Sequence, residues 1–78
     1  MTLFDKLRDI MSSTLSLPAS AIKETSTMED IEEWDSLGHV NIMVALEQAF
    51  DLYMDVEDFA ELDSVPAILG YLEAENVS

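Results

Sequence analysis

Seventeen aspartates and glutamates face three lysines and arginines in a chain of 78 residues, a formal charge of −14, and no cysteine is present to cross-link it. So short and self-repelling a chain folds only if apolar packing outweighs the repulsion, because disulfides are not available to it. The material for a core is there. Hydrophobic residues make up 49% of the sequence, far more than an acidic disordered tail contains. One domain over residues 1–78, with one modest core, is expected.

The same charge narrows the partners. Three cations cannot neutralise a run of phosphates, which argues against nucleic acid, and an anionic lipid surface would repel the chain. Partners with basic patches, steered electrostatically, are expected instead. A thiolate metal site is impossible without cysteine. The acidic runs also lack calcium-loop spacing, which needs Gly at the sixth position and Glu at the twelfth. A loop from Asp51 places Val56 and Leu62 there, and one from Asp30 places Asp35 and Asn41. No metal is expected. No apolar run reaches membrane-span length, and Met1-Thr2-Leu3-Phe4-Asp5 reads as helix rather than as a basic-then-apolar leader. A soluble, cytoplasmic monomer is the expectation.

Periodicity is helical throughout. Leu3, Leu7, Ile10, Met11 and Thr14 form a stripe, with Thr2 as N-cap and Asp5 completing a carboxylate variant of the capping box. This predicts a helix over 3–14, broken by Leu17-Pro18. The stretch from Ala21 to Asp35 is long for a structureless connection, so Ile22, Met28, Ile31 and Trp34 are its expected anchors, with a helical turn at 20–23. A second helix is predicted over 36–50, a short one over 56–60 capped by Asp55, and a last one capped by Ser64 with Pro66 in its first turn. Val65, Ile68, Leu69 and Leu72 are its apolar stripe. Strand signals are missing. The fold class is all-α: a small four-helix bundle, three main helices plus one short one, with a long first loop.

The second helix has two apolar arcs. At about 100° per residue, Ile42, Met43, Leu46 and Phe50 share one arc and belong to the core. Leu37, Val40 and Val44 lie opposite, beside Asn41, Glu47 and Gln48. An ordinary surface helix needs one stripe. The second is either covered by the long loop or open as a docking face rimmed by carboxylates.

Glu33-Trp34-Asp35-Ser36-Leu37-Gly38-His39-Val40 opens that helix. Asp-Ser-Leu at a helix start is weak evidence alone, since Asp and Ser cap helices everywhere. It gains force with the length, the acidity, the long acidic loop before it and the short helix after Leu46-Glu47-Gln48-Ala49-Phe50. Taken together, nearly the whole chain resembles the acyl carrier protein family. The resemblance implies that Ser36 receives 4′-phosphopantetheine from a separate transferase that uses coenzyme A. It implies that acyl groups then ride on the arm as thioesters between enzymes of fatty acid, polyketide or related biosynthesis. An aminoacyl or peptidyl carrier, or an unmodified acidic interaction module, is the alternative. Asp35, Leu37, Val40, Val44 and Glu47 are the expected docking residues, toward the transferase and acyl-processing enzymes. The acidity and the chain's span favour a free-standing carrier, with an apolar interior able to shelter cargo.

Several single residues carry expectations of their own. Gly38 lowers helix propensity and is expected to loosen the first turn. His39 falls on the core side and is expected to be packed and neutral, its alternative being contact with the arm. Trp34 is expected to anchor the loop with its indole N–H partly solvated. Tyr53 and Tyr71 are expected to pack at helix edges, and the five methionines to fill core gaps. Asp35, Ser36 and His39 invite a hydrolase reading, but no Gly-x-Ser-x-Gly elbow surrounds the serine. No catalytic residue is expected.

Overall fold

A computed structural model describes residues 2–75; Met1 and the last three residues, and so any role of Met1 in the core, lie outside it. Four α-helices follow one another: α1 over Leu3–Leu15, α2 over Ser36–Phe50, α3 over Val56–Glu61 and α4 over Val65–Ala74. A 3-10 turn, Ala19–Ala21, overlaps the turn expected over 20–23 but begins one residue earlier and stops before Ile22. Among the described residues the only β pairing is an isolated bridge between Thr27 and Ser64.

Local chemistry starts each helix. Thr2 Oγ1 accepts the Asp5 N–H at 3.1 Å while Asp5 Oδ2 accepts that of Thr2 at 3.2 Å, the expected reciprocal cap. The bond from the Thr2 N–H, opposed by partial desolvation and helped by the Thr2 hydroxyl and Arg8, holds the Asp5 carboxyl below its ordinary range. Asp55 and Asp58 cap α3 in the same reciprocal way, and Ser64 Oγ accepts the Ala67 N–H at 3.2 Å to start α4. α1 and α3 each run one residue past expectation. The end of α1 is set by Ser16, and that of α2 by Asp51, both left-handed (φ 57° and 54°).

The core arc of α2 lies where the wheel puts it. Ile42, Met43 and Leu46 are fully buried together with Leu7 and Met11 of α1 and Val65, Ile68 and Leu72 of α4. Phe50, at the end of the arc, is only half-buried, as are Leu3, Ile10 and Leu69. Met11, Met43 and Met54 are buried and Met28 packs against the same core.

The long connection is anchored as expected. Ile22, Ile31 and Trp34 are buried. Its backbone is tied to the start of α4, where Asp63 O accepts the Met28 N–H at 3.0 Å and Ser26 O accepts the Val65 N–H at 2.8 Å. Its end then crosses the first turn of α2. A Cβ on Gly38 would lie 2.6 Å from the Glu33 carbonyl oxygen and 3.0 Å from a Leu15 methyl carbon. The first turn of α2 is therefore tight rather than loose: Gly38 is there because the loop backbone occupies the space of a side chain.

Tyr53 corrects another expectation. It is 83% exposed and is not among the side chains packed against the core. Burial alternates in the segment between α2 and α3: Leu52 is half-buried and Met54 buried, while Tyr53 between them is exposed. Tyr71 is half-buried, as expected.

Two expected outcomes follow from this packing. Gly70 lies in α4 with no atom within 4 Å of its would-be Cβ, so Gly70→Ala raises stability by roughly 0.5–1 kcal/mol in urea melts. Gly38→Ala, facing rigid backbone, lowers it by about 1–3 kcal/mol. The second outcome concerns Tyr71. Desolvation first, and then the carboxylates of Asp58, Glu75, Asp55 and Glu47, push its phenol above the ordinary 10.0. The folded state thus keeps this proton when the unfolded chain loses it. The contribution is intact below pH 10 and is lost as pH rises through the folded-state value. Thermal melts across that range should show Tyr71→Phe losing less stability with alkali than the parent.

Candidate functional site

The amino-terminal corner of α2 alternates between buried and exposed residues within one turn. Trp34, Gly38 and His39 are buried; Asp35, Ser36 and Leu37, between them, face solvent. Asp35 has the extended backbone of an N-cap, and its Oδ1 accepts the Gly38 N–H at 2.8 Å. Ser36 is the first helical residue. Among the described residues no hydrogen bond engages its backbone N–H or that of Leu37. Free N–H groups and the positive end of the helix dipole suit a phosphodiester attached at Ser36.

Trp34 and His39 fix the corner from below. The Trp34 indole N–H donates to His39 Nδ1 at 3.0 Å, and His39 Nε2 lies 2.6 Å from the Phe59 carbonyl oxygen. An indole only donates and a carbonyl only accepts, so the imidazole is neutral with its proton on Nε2. His39 is packed and neutral, as expected, but the Trp34 N–H is not solvated: the residue is 1% exposed and its donor is taken by the histidine. Both imidazole nitrogens are engaged, and Asp35 is engaged by Gly38. The imidazole has no nitrogen left over for Ser36, so the Ser–His pair that a serine hydrolase relies on is not assembled here.

The second arc of α2 is open. Leu37 is 71%, Val40 45% and Val44 42% exposed, so the long loop does not cover them. Asn41 and Gln48 are exposed beside them. Glu47 differs from a free rim carboxylate: it is half-buried, and its Oε2 accepts the Met54 N–H at 2.9 Å. Tyr53 and Val56, which is 81% exposed, add apolar surface near that end. The sequence reading missed both as surface residues; the alternation through Leu52-Tyr53-Met54 was the available signal. One surface hollow lies between α1 and α2, among Ile10, Ser13, Ala45 and Ala49, and another beside Met28 and Asp63; neither reaches Ser36.

Comparison with known proteins agrees with this geometry. The family model described as the phosphopantetheine attachment site matches residues 5–72. An acyl carrier protein of Clostridium acetobutylicum is 35% identical over 71 residues, covering 91% of this chain and 92% of the relative. One of Campylobacter curvus is 32% identical over 74 residues, 94% of this chain and 95% of its own. The fold matches the solution structure of a holo acyl carrier protein from Geobacter metallireducens with a TM-score of 0.82, at 23% identity, over 95% of this chain and 85% of that one. The chain belongs to the acyl carrier protein family, built around a covalent phosphopantetheine attachment site.

Proposed function

We propose that Ser36 is the residue that receives 4′-phosphopantetheine, and that the chain then carries acyl groups between biosynthetic enzymes. One observation supports this most directly: Ser36 is an exposed hydroxyl at the first position of α2, while the residues fixing its corner are buried. In the transfer, Ser36 Oγ attacks the β-phosphorus of coenzyme A. The bond from that phosphorus to the pyrophosphate bridging oxygen breaks, and adenosine 3′,5′-bisphosphate leaves. The serine proton goes to a base of the transferase, since both nitrogens of His39, the nearby imidazole, are already engaged. Once attached, the arm supplies the thiol on which acyl groups are held as thioesters.

In this reading the chain is a substrate and carrier for separate enzymes, not a catalyst, and works as a cytoplasmic monomer. No helix among the described residues is long and apolar enough to cross a membrane. Leu37, Val40 and Val44 form the apolar centre of the docking face. Asp35 and the neighbouring carboxylates attract a basic patch on the transferase or an acyl-processing enzyme. Glu47 contributes charge to that face while holding the Met54 N–H.

Incubation with coenzyme A, Mg²⁺ and a phosphopantetheinyl transferase should add one phosphopantetheinyl group by intact mass. Ser36→Ala should abolish the addition with helical circular dichroism unchanged; modification that persists in this variant sinks the assignment. The docking face has its own comparison. Leu46→Ala, in the core, costs about 2–5 kcal/mol, whereas Val44→Asp on the open arc shifts stability by only about 0.5 kcal/mol. Val44→Asp still slows modification more than about tenfold, because the new carboxylate must be desolvated in the contact. Equal destabilisation by both substitutions would make that arc core instead.

A further inference from the structure

The chain of hydrogen bonds from Trp34 through His39 to Phe59 spans three parts of the fold: the end of the long loop, the first turn of α2, and α3. It runs along the edge of the core, to which Trp34 belongs and against which Phe59 packs, and involves none of the exposed docking residues. α3 needs such a tie. It is six residues long, its Phe59 packs against the core only half-buried, and a helix of that length does not stand alone. Two side chains of α2 hook the backbone around it: Glu47 takes the Met54 N–H before α3, and His39 reaches the Phe59 carbonyl within it.

The other end of the same imidazole holds Trp34, two residues before Ser36. Asp35, Ser36 and Leu37 have exposed side chains, so the segment is placed by what flanks it. On one side is the Trp34–His39 bond. On the other are the Asp35 cap and the close approach of Glu33 to Gly38. We propose that Trp34 and His39 are positioning residues for Ser36. The neutral, Nε2-protonated imidazole accepts the Trp34 indole N–H and donates to Phe59, and so holds the backbone that carries Ser36 in one position before the modifying enzyme. The proposal rests on the reading of Ser36 as the attachment residue.

The two hydrogen bonds can be separated by substitution. An asparagine amide oxygen sits near the place of Nδ1 and can still accept from Trp34. A glutamine amide nitrogen sits near the place of Nε2 and can still donate to Phe59. Trp34→Phe keeps ring bulk but removes the donor.

The test measures transferase kinetics by intact mass at saturating coenzyme A, with the concentration of the chain varied. Nitrogen-15 spectra of the imidazole are recorded on the parent, and circular dichroism on every variant. The parent should show protonated Nε2 and unprotonated Nδ1. His39→Gln and Trp34→Phe should lower kcat about tenfold with KM within twofold, because the α2 docking face is untouched. His39→Asn should recover most of kcat, since it keeps the tie beside Ser36. The double variant Trp34→Phe/His39→Gln should be no slower than either single one, because both remove the same bond.

Folded variants with kcat within twofold of the parent would overturn the proposal, as would a loss confined to KM or a parent imidazole protonated on Nδ1. If His39→Gln does not fold, Trp34→Phe against the parent decides the matter alone. Failure of the parent itself to be modified at Ser36 would instead count against the carrier assignment.

Discussion

Ile42, Met43 and Leu46 of α2 are closed to solvent in one core with Leu7 and Met11 of α1 and Ile68 and Leu72 of α4. With no cysteine and a charge of −14, this burial is what opposes the repulsion among carboxylates, at roughly 1.5–3 kcal/mol per large side chain removed from water. Because α2 supplies its core contacts from one arc, the opposite arc is released from packing. Leu37, Val40 and Val44 are exposed as a consequence. The proposed docking face and the core are two sides of one helix.

The rest of the structure hangs from that helix by polar contacts. His39 and Glu47 each reach a backbone group in the 54–59 region, at 2.6 and 2.9 Å. α3 is thereby attached with little apolar burial of its own, although Met54 before it and Leu62 after it are buried. Helices held this way sit at the low end of local stability, and their opening need not disturb the α1–α2–α4 core. The long loop is held more firmly, by three buried apolar side chains and two backbone bonds to the start of α4.

What the sequence made legible follows the range of each interaction. Thr2, Asp35, Asp55 and Ser64 cap helices through bonds to residues three positions on, so helix starts could be read locally. The core arc of α2 followed from periodicity. The Trp34–His39 bond was not legible, because it joins a loop residue to a helix residue five positions away, a spacing with no helical meaning. The need for Gly38 was hidden for the same reason: the obstacle is a loop carbonyl placed by tertiary packing. Tyr53 was misread because an isolated aromatic between two helices carries no helical period to say which way it faces. Ser36 stood out through the motif around it rather than through any spacing, since a serine after an aspartate caps or starts many helices.

The carboxylates are only partly arranged for stability. Asp5, Asp35, Asp55 and Asp58 sit at helix starts, where they accept backbone N–H groups and meet the positive end of the dipole. The other ends show the reverse. No helix among those described has a basic residue in its last turn, and Asp51 caps the carboxyl end of α2 from a left-handed backbone. A fold selected for stability alone would place cations there. The exposed acids that cap nothing, such as Glu32, Glu33 and Glu57, instead sum into a long-range negative field around the Ser36 corner and α3. A field of this sign favours encounter with positively charged surfaces over negative ones, at the expense of self-repulsion that the small α1–α2–α4 core must overcome.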